Sequence, residues 1–293
     1  MIDASSLIYR AFFSTPETVR SPGGEPVNAA HGFINMLARL IGDRDPDYLV
    51  CAADADWRPQ WRVDLLPSYK AHRLEMPETP QLDRQVPLIF ELMEACGVAV
   101  AGCPEYEAED VIGALVPRCR GRVEIVSGDR DLFQLVRDPD VAVLYPKKGV
   151  SELVRVDEAE IRERFGIPGR AYGDYALLRG DPSDGLPGVS GIGEKTAALL
   201  VTRYGNISAV IEAALTGNGT GPLGKVRGAL DYLDRAAQVV LISGEAPVGE
   251  VEMKRPDGAS SDEAIRLAEA WGLRNPVERL LKALGRRSAP NNR

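Results

Sequence analysis

Carboxylates fall where strands should end. Asp3 follows two apolar residues, Asp54 closes YLVCAAD, and Asp129 closes VEIVSGD with Asp131 two residues further on. In a parallel sheet, strand C-termini converge on one edge, and ligands bind there. Within PEYEAEDVIGAL, Glu107 and Asp110 stand three residues apart and so share one face of an expected helix, with Glu109 beside them. Asp181 and Asp184 repeat that spacing in GDPSDGLPG. Like charges so placed oppose each other. Gathered without counter-charge, these nine carboxylates would repel, and several would protonate. Hard divalent cations such as Mg²⁺ or Mn²⁺ remove the conflict, because they take oxygen ligands. An acidic residue at a helix N-terminus often only complements the dipole, and for Glu109 or Asp184 alone that is the better explanation. A solvated face is a poor account of the whole set.

Other chemistries are less well supplied. Two histidines, His31 and His72, argue against a histidine-rich zinc site and against His-based catalysis. The net charge of −8 argues against nucleic acid if taken globally. Setting the nine carboxylates aside leaves the rest of the chain close to neutral, so a phosphate-rich ligand is not forbidden. LPGVSGIGEKTAALL resembles a nucleotide phosphate loop, but Glu194 intervenes before Lys195 and Thr196 and no strand precedes it, so an ATP site is rejected. In SYKAHR, Lys70 and Arg73 stand three apart; on residue types alone a solvated basic turn explains them. Arg58 and Arg62 beside Trp57 and Trp61 suit single-strand stacking and phosphate contact, though a core place for the tryptophans explains those two at least as well.

The elements that must position these groups follow from periodicity. Apolar runs at 48–55, 98–103, 123–129 and 141–146 read as buried strands, and 27–42 and 85–97 carry helical spacing. Strand alternating with helix argues an α/β fold with a mostly parallel sheet. The polar stretch 57–84 fits neither period and reads as a long excursion from the sheet. After about residue 157 the pattern is mainly helical, TGNGTGPLG (216–224) reads as a flexible loop, and the tail RRSAPNNR as frayed. No run approaches the length of a membrane span, and the start MIDASSLIYRAFF lacks the features of a secretory signal. Four cysteines without a CxxC pair read as reduced thiols in a cytoplasmic protein.

Four ordered motifs, DASSLIYRAF (3–12), PEYEAEDV (104–111), SGDRDLFQL (127–135) and GDPSDGLPGVSGIGEKTA (180–197), resemble the bacterial 5′ nucleases. These are the 5′-exonuclease domain of DNA polymerase I and the stand-alone flap endonucleases. The likeness runs from Asp3 to about residue 285, and the absence of a following polymerase sequence points to the stand-alone flap endonucleases of actinobacteria. The resemblance implies a PIN-like 5′-nuclease core over 1–156 with a helical arch at about 57–84. It implies a helical C-terminal 5′-3′ exonuclease domain over 157–293 with a helix–hairpin–helix at about 181–204.

The same resemblance implies two or three Mg²⁺ or Mn²⁺ ions on Asp3, Asp54, Glu107, Glu109, Asp110, Asp129, Asp131, Asp181 and Asp184. The first two, Glu107, Glu109 and Asp129 would serve mainly the site nearest the nucleophile, and Asp131, Asp181 and Asp184 a second or outer one. Hydrolysis by paired cations about 4 Å apart needs no protein nucleophile. Lys70 would neutralise phosphate charge, Arg73 would hold the same phosphate, and Tyr69 would stack on a terminal base. Gly191, Gly193, Lys195 and Thr196 would contact duplex backbone at a helix N-terminus, and carbonyls of Val189 and Ile192 would hold a K⁺ ion.

Three departures from the family pattern stand out. Ala4 replaces the usual glycine, Gly185 replaces the asparagine of GDxSDN, and the first strand is short, so the natural chain is expected to extend upstream of Met1. The expected substrate is DNA with a 5′ flap, nick, gap or overhang, acted on by a monomer in primer removal and repair. No membrane partner and no nucleotide cofactor are expected. A PIN-like ribonuclease and a non-catalytic DNA-junction binder are the rivals; the hairpin at 188–195 argues against the first, and retention of all nine carboxylates against the second.

Overall fold

Short apolar segments pair into one six-stranded sheet. The computed structural model describes residues 1–75, 79–217, 220–258 and 262–286. The strands are β1 (Ile2–Asp3), β2 (Val50–Ala52), β3 (Ala99–Ala101), β4 (Val123–Val126), β5 (Val141–Pro146) and β6 (Leu153–Val156), in the order β3-β2-β1-β4-β5-β6. The first five are parallel and β6 runs antiparallel to β5. Ile2 lies opposite Cys51 on one side and Val126 on the other, so β1 sits at the centre, where the winding reverses. That reversal opens a crevice at the strand C-termini, and Asp3, Asp54 and Asp129 lie at or just beyond the ends of β1, β2 and β4.

Helices cover both faces. Helix Asn28–Arg44 buries Ala30, Phe33, Ile34, Leu37 and Ile41 at helical spacing and packs on helix Ala4–Ser14. Helix Pro80–Ala95 joins this layer, opened by a proline at its first position, where the missing N–H leaves no bond unmade. The helices Asp262–Ala270 and Arg274–Gly285 return to the same layer, the second lying along Asn28–Arg44. On the opposite face, helices Ala108–Leu115, Tyr172–Arg179, Glu194–Tyr204, Ile207–Thr216 and Leu230–Val240 bury their apolar sides in one core.

Several elements differ from expectation. The strands at 50–52, 99–101 and 123–126 are shorter than their apolar runs, and Asp54 and Asp129 follow the ends of the first and third. β6 has no counterpart among the expected strands; it is four residues long and only Val156 is buried, so its sequence carries no clear apolar run. The stretch 57–84 contains helix Gln60–Leu65, a 3₁₀ turn Ala71–Glu75 and the first turn of Pro80–Ala95, while residues 76–78 lie outside the described residues. Within the expected loop at 216–224, Gly221–Arg227 is helical; residues 218–219, and 287–293 of the tail, lie outside the described residues. Among the described residues no helix is long and apolar enough to cross a membrane.

Candidate metal centre and nucleic-acid interface

Five segments bring their carboxylates to the C-terminal edge of the sheet. Asp3 ends β1 and caps helix Ala4–Ser14, accepting from the Ser6 N–H at 3.0 Å and from the Ser127 hydroxyl. Asp54, just past β2, accepts the Ala108 N–H at 2.7 Å, and its own N–H donates to Ser5 Oγ at 2.9 Å. A carboxylate at the start of helix Ala108–Leu115 is favoured by the exposed N–H groups there. Glu107 is the residue preceding that helix and Asp110 is its third, accepting the Glu107 N–H at 3.4 Å. Asp129 accepts the Asp131 N–H at 2.9 Å in the turn after β4.

Oxygens of Glu109, Asp129 and Asp131 lie within 4.8 Å of one another. This all-oxygen trio fits a hard divalent cation and suits neither a soft metal nor a tetrahedral zinc with nitrogen and sulfur ligands. Burial and mutual repulsion raise the carboxyl affinities for protons. Asp3 is pushed up to about 7 by burial and by Asp54. Burial raises Asp54, and burial together with neighbouring carboxylates raises Glu109, Asp129 and Asp131. Asp110 is also raised by burial, yet it is fully enclosed and bonded by Arg62 at 2.9 Å and the Ser243 N–H at 3.0 Å.

Asp184 is buried and pairs with Arg73 at 3.0 Å. Asp181 stands further out: it accepts from the Ser183 N–H at 2.9 Å and meets Arg179 at 3.2 Å. The structure therefore groups Glu109, Asp129 and Asp131 tightly, with Asp3, Asp54, Glu107 and Asp184 around them, and gives Asp110 and Asp181 local partners.

The segment between β2 and residue 75 folds onto these groups. Lys70 is buried, has φ +48°, and its ammonium meets Glu107, while its N–H donates to the Asp184 carbonyl at 2.9 Å. Arg73 reaches the Ser183 carbonyl and Asp184, both at 3.0 Å. Tyr69 is 1% exposed; its hydroxyl donates to Glu107, and its ring faces the cations of Arg62 and Lys70 rather than open space. Arg58 braces this segment through the carbonyls of Tyr69 and Pro67, and the Trp61 indole donates to the Glu105 carbonyl. Arg62, read from sequence as a phosphate contact, is instead fully buried against Glu107, Glu109 and Asp110. Neither its inward direction nor the serines holding Asp3 and Asp54 is visible in spacing, because each pairs across distant segments.

At the hairpin, Val189 and Ile192 bury their side chains in the core, leaving the glycine backbone outside. Gly191 has φ +74°, and Gly193 precedes helix Glu194–Tyr204. Gly191, Gly193 and Lys195 are exposed and Thr196 is half-buried. A Cβ on Gly188 would stand 2.4 Å from the Gly180 nitrogen, so only glycine lets the hairpin close on the preceding turn. The Val189 carbonyl accepts the Ile192 N–H at 2.9 Å, and Lys225 donates its ammonium to the Gly191 carbonyl at 2.8 Å.

Comparison with known proteins places this arrangement. Residues 1–166 match the 5′-3′ exonuclease N-terminal resolvase-like domain, and residues 167–259 match the 5′-3′ exonuclease C-terminal SAM fold. A 5′-3′ exonuclease of Streptomyces coelicolor is 46% identical over 301 residues, covering 97% of this chain and 99% of that protein. One from Mycobacterium tuberculosis is 42% identical over 310 residues, covering 97% and 96%. The fold is shared with the bacteriophage T5 flap endonuclease solved with DNA and metal ions, at a TM-score of 0.68 and 16% identity, covering 97% of this chain and 96% of that one. The chain belongs to the 5′-3′ exonuclease family.

Proposed function

We propose that this chain is a divalent-metal-dependent, structure-specific 5′ nuclease, acting as a 5′ flap endonuclease and 5′-3′ exonuclease on DNA. The observation that carries the reading is the convergence of carboxylates from five segments on the sheet edge, with Glu109, Asp129 and Asp131 within 4.8 Å. Held there, Mg²⁺ or Mn²⁺ would supply an activated water and neutralise the charge that develops on the departing 3′ oxygen. Asp3, Asp54 and Glu107 complete the ligand set in this reading, with Asp110, Asp181 and Asp184 supporting it. Lys70, beside Glu107, is the cation that would neutralise the transferring phosphate, and Arg73, beside Asp184, would hold it in the same place. Tyr69, buried with its hydroxyl on Glu107, would fix the base of the arch through that carboxylate rather than stack on a terminal base.

The hairpin is the duplex contact. Gly191 and Gly193 leave backbone N–H groups open to a phosphate at the start of an eleven-residue helix, and Lys195 and Thr196 stand at its first turn. Carbonyls of Val189 and Ile192 are the neutral oxygens a K⁺ ion would take; Lys225 on the Gly191 carbonyl marks the same turn as one that gathers positive charge. The reading divides the chain into a nuclease core, 1–156, and a helical DNA-binding part, 157–293. It gives a cytoplasmic monomer working on flaps, nicks, gaps and 5′ overhangs in primer removal and repair.

A 5′-flapped duplex incubated in Mn²⁺ should be incised near the junction, leaving a 5′-phosphate and a 3′-hydroxyl, and chelation should stop it. Cleavage of single-stranded RNA with the flap left intact would overturn the reading. Tight binding of the flap with no incision in Mn²⁺ or Mg²⁺ would overturn it too.

A further inference from the structure

We infer that Arg62 is a positioning residue for the metal-ligand set: its guanidinium fixes the mutual orientation of Glu107, Glu109 and Asp110. The inference rests on the reading of these carboxylates as metal ligands. Arg62 is 0% exposed and comes from helix Gln60–Leu65 of the arch segment. Its Nη1 meets Glu107 and stands 3.3 Å from Glu109 Oε1, while Nη2 meets Asp110 Oδ1 at 2.9 Å. One planar fork thus touches every acidic side chain of the turn that opens helix Ala108–Leu115. Glu109 is the member that also belongs to the close trio with Asp129 and Asp131. Fixing one end of that carboxylate decides where its other oxygen points.

The guanidinium is itself held. Its carbon lies 4.9 Å from the Trp61 ring centroid and 5.6 Å from that of Tyr69. The Trp61 indole is tied to the Glu105 carbonyl at 2.8 Å, and the Tyr69 hydroxyl to Glu107. A lysine in the same place would keep the charge but lose the fork, since an ammonium is a point charge on a flexible stem.

Charge and geometry predict opposite signs, which makes the inference testable. Arg62→Gln removes a positive charge beside the ligands; by charge alone it would tighten a cation. Arg62→Lys keeps the charge, so by charge alone it would change little. A positioning role predicts that both variants weaken Mn²⁺ binding, by about 10–100-fold for an outer partner of metal ligands. Mn²⁺ affinity is measured by calorimetry or by the free-ion spin resonance signal, with circular dichroism to check the fold. Flap-DNA affinity in chelator, where no divalent ion binds, should stay within about twofold. Parental Mn²⁺ affinity in folded Arg62→Lys would overturn the inference, and so would tighter Mn²⁺ binding by Arg62→Gln. If Arg62→Lys does not fold, Arg62→Gln alone decides by the sign of its effect. A parent protein that binds no Mn²⁺ would sink the metal-site reading itself, a different result from either.

Discussion

Gly185 shows how a single departure from a family pattern is settled by its surroundings. It sits at φ +70°, and a Cβ there would stand 2.1 Å from the Ser68 carbonyl oxygen, next to the Lys70 backbone. Asparagine tolerates the left-handed region, but any side chain would push the Ser68–Lys70 backbone off the Asp184 turn. Gly185→Ala should therefore cost about 1–3 kcal/mol and lower the flap-cleavage rate, because Lys70 and Arg73 lose their seat. Thermal melts and single-turnover rates would test this, and unchanged values for both would contradict it. Asp129 gives the complementary case. Asp129→Ala should abolish cleavage in Mn²⁺ while leaving junction binding largely intact, and cleavage at the parent rate would contradict its place in the ligand set. The carboxylates were legible in the sequence because a parallel sheet dictates where strand ends go. Their partners were not. Ser127 on Asp3 and Arg62 on Glu109 join residues far apart in the chain, and only packing brings them together.

Elements were legible wherever one period dominates. β5 spans 141–146 as its apolar run implies, and helix Asn28–Arg44 follows its apolar face closely. The segment after β2 was not, because beside Leu66 its buried groups include Arg62, Tyr69 and Lys70, which a hydrophobicity pattern counts as polar or ambiguous. They are inside because carboxylates await them, a pairing no periodicity encodes. The helix Gly221–Arg227 was hidden by the glycines at its start. The hairpin was legible from its glycines, since positive φ at 188 and 191 and the contact with Gly180 admit nothing larger. The duplex contact proposed for it is electrostatic, and one variant isolates that. Lys195 is exposed at the first turn of helix Glu194–Tyr204, so Lys195→Ala should leave stability nearly unchanged. Duplex affinity should fall, and the slope of log affinity against log salt should drop by about one unit. An unaltered slope would remove Lys195 from the interface.

The whole molecule carries the consequence of concentrating acid in one place. Asp3, Asp54, Glu109, Asp129 and Asp131 all hold protons more tightly than free carboxylates do, through burial and mutual repulsion. Asp3 is pushed up to about 7 from 3.8. Between those values the folded chain binds a proton that the unfolded chain has lost. Stability without metal therefore falls as pH rises through that window and levels off above it. From pH 5.5 to 7 this one group is worth on the order of 2 kcal/mol, or roughly 5 °C in melting temperature for a chain of this size. Divalent cations reverse the sign, because they bind the ionised carboxylates and stabilise the fold most where protons compete least. In chelator the melting temperature should be lower at pH 8 than at pH 5.5. Millimolar Mg²⁺ or Mn²⁺ should raise it more at pH 8 than at pH 5.5. A chelated protein that melts higher at pH 8 would mean that the carboxylates are not pressed together, and the shared metal centre would lose its physical basis.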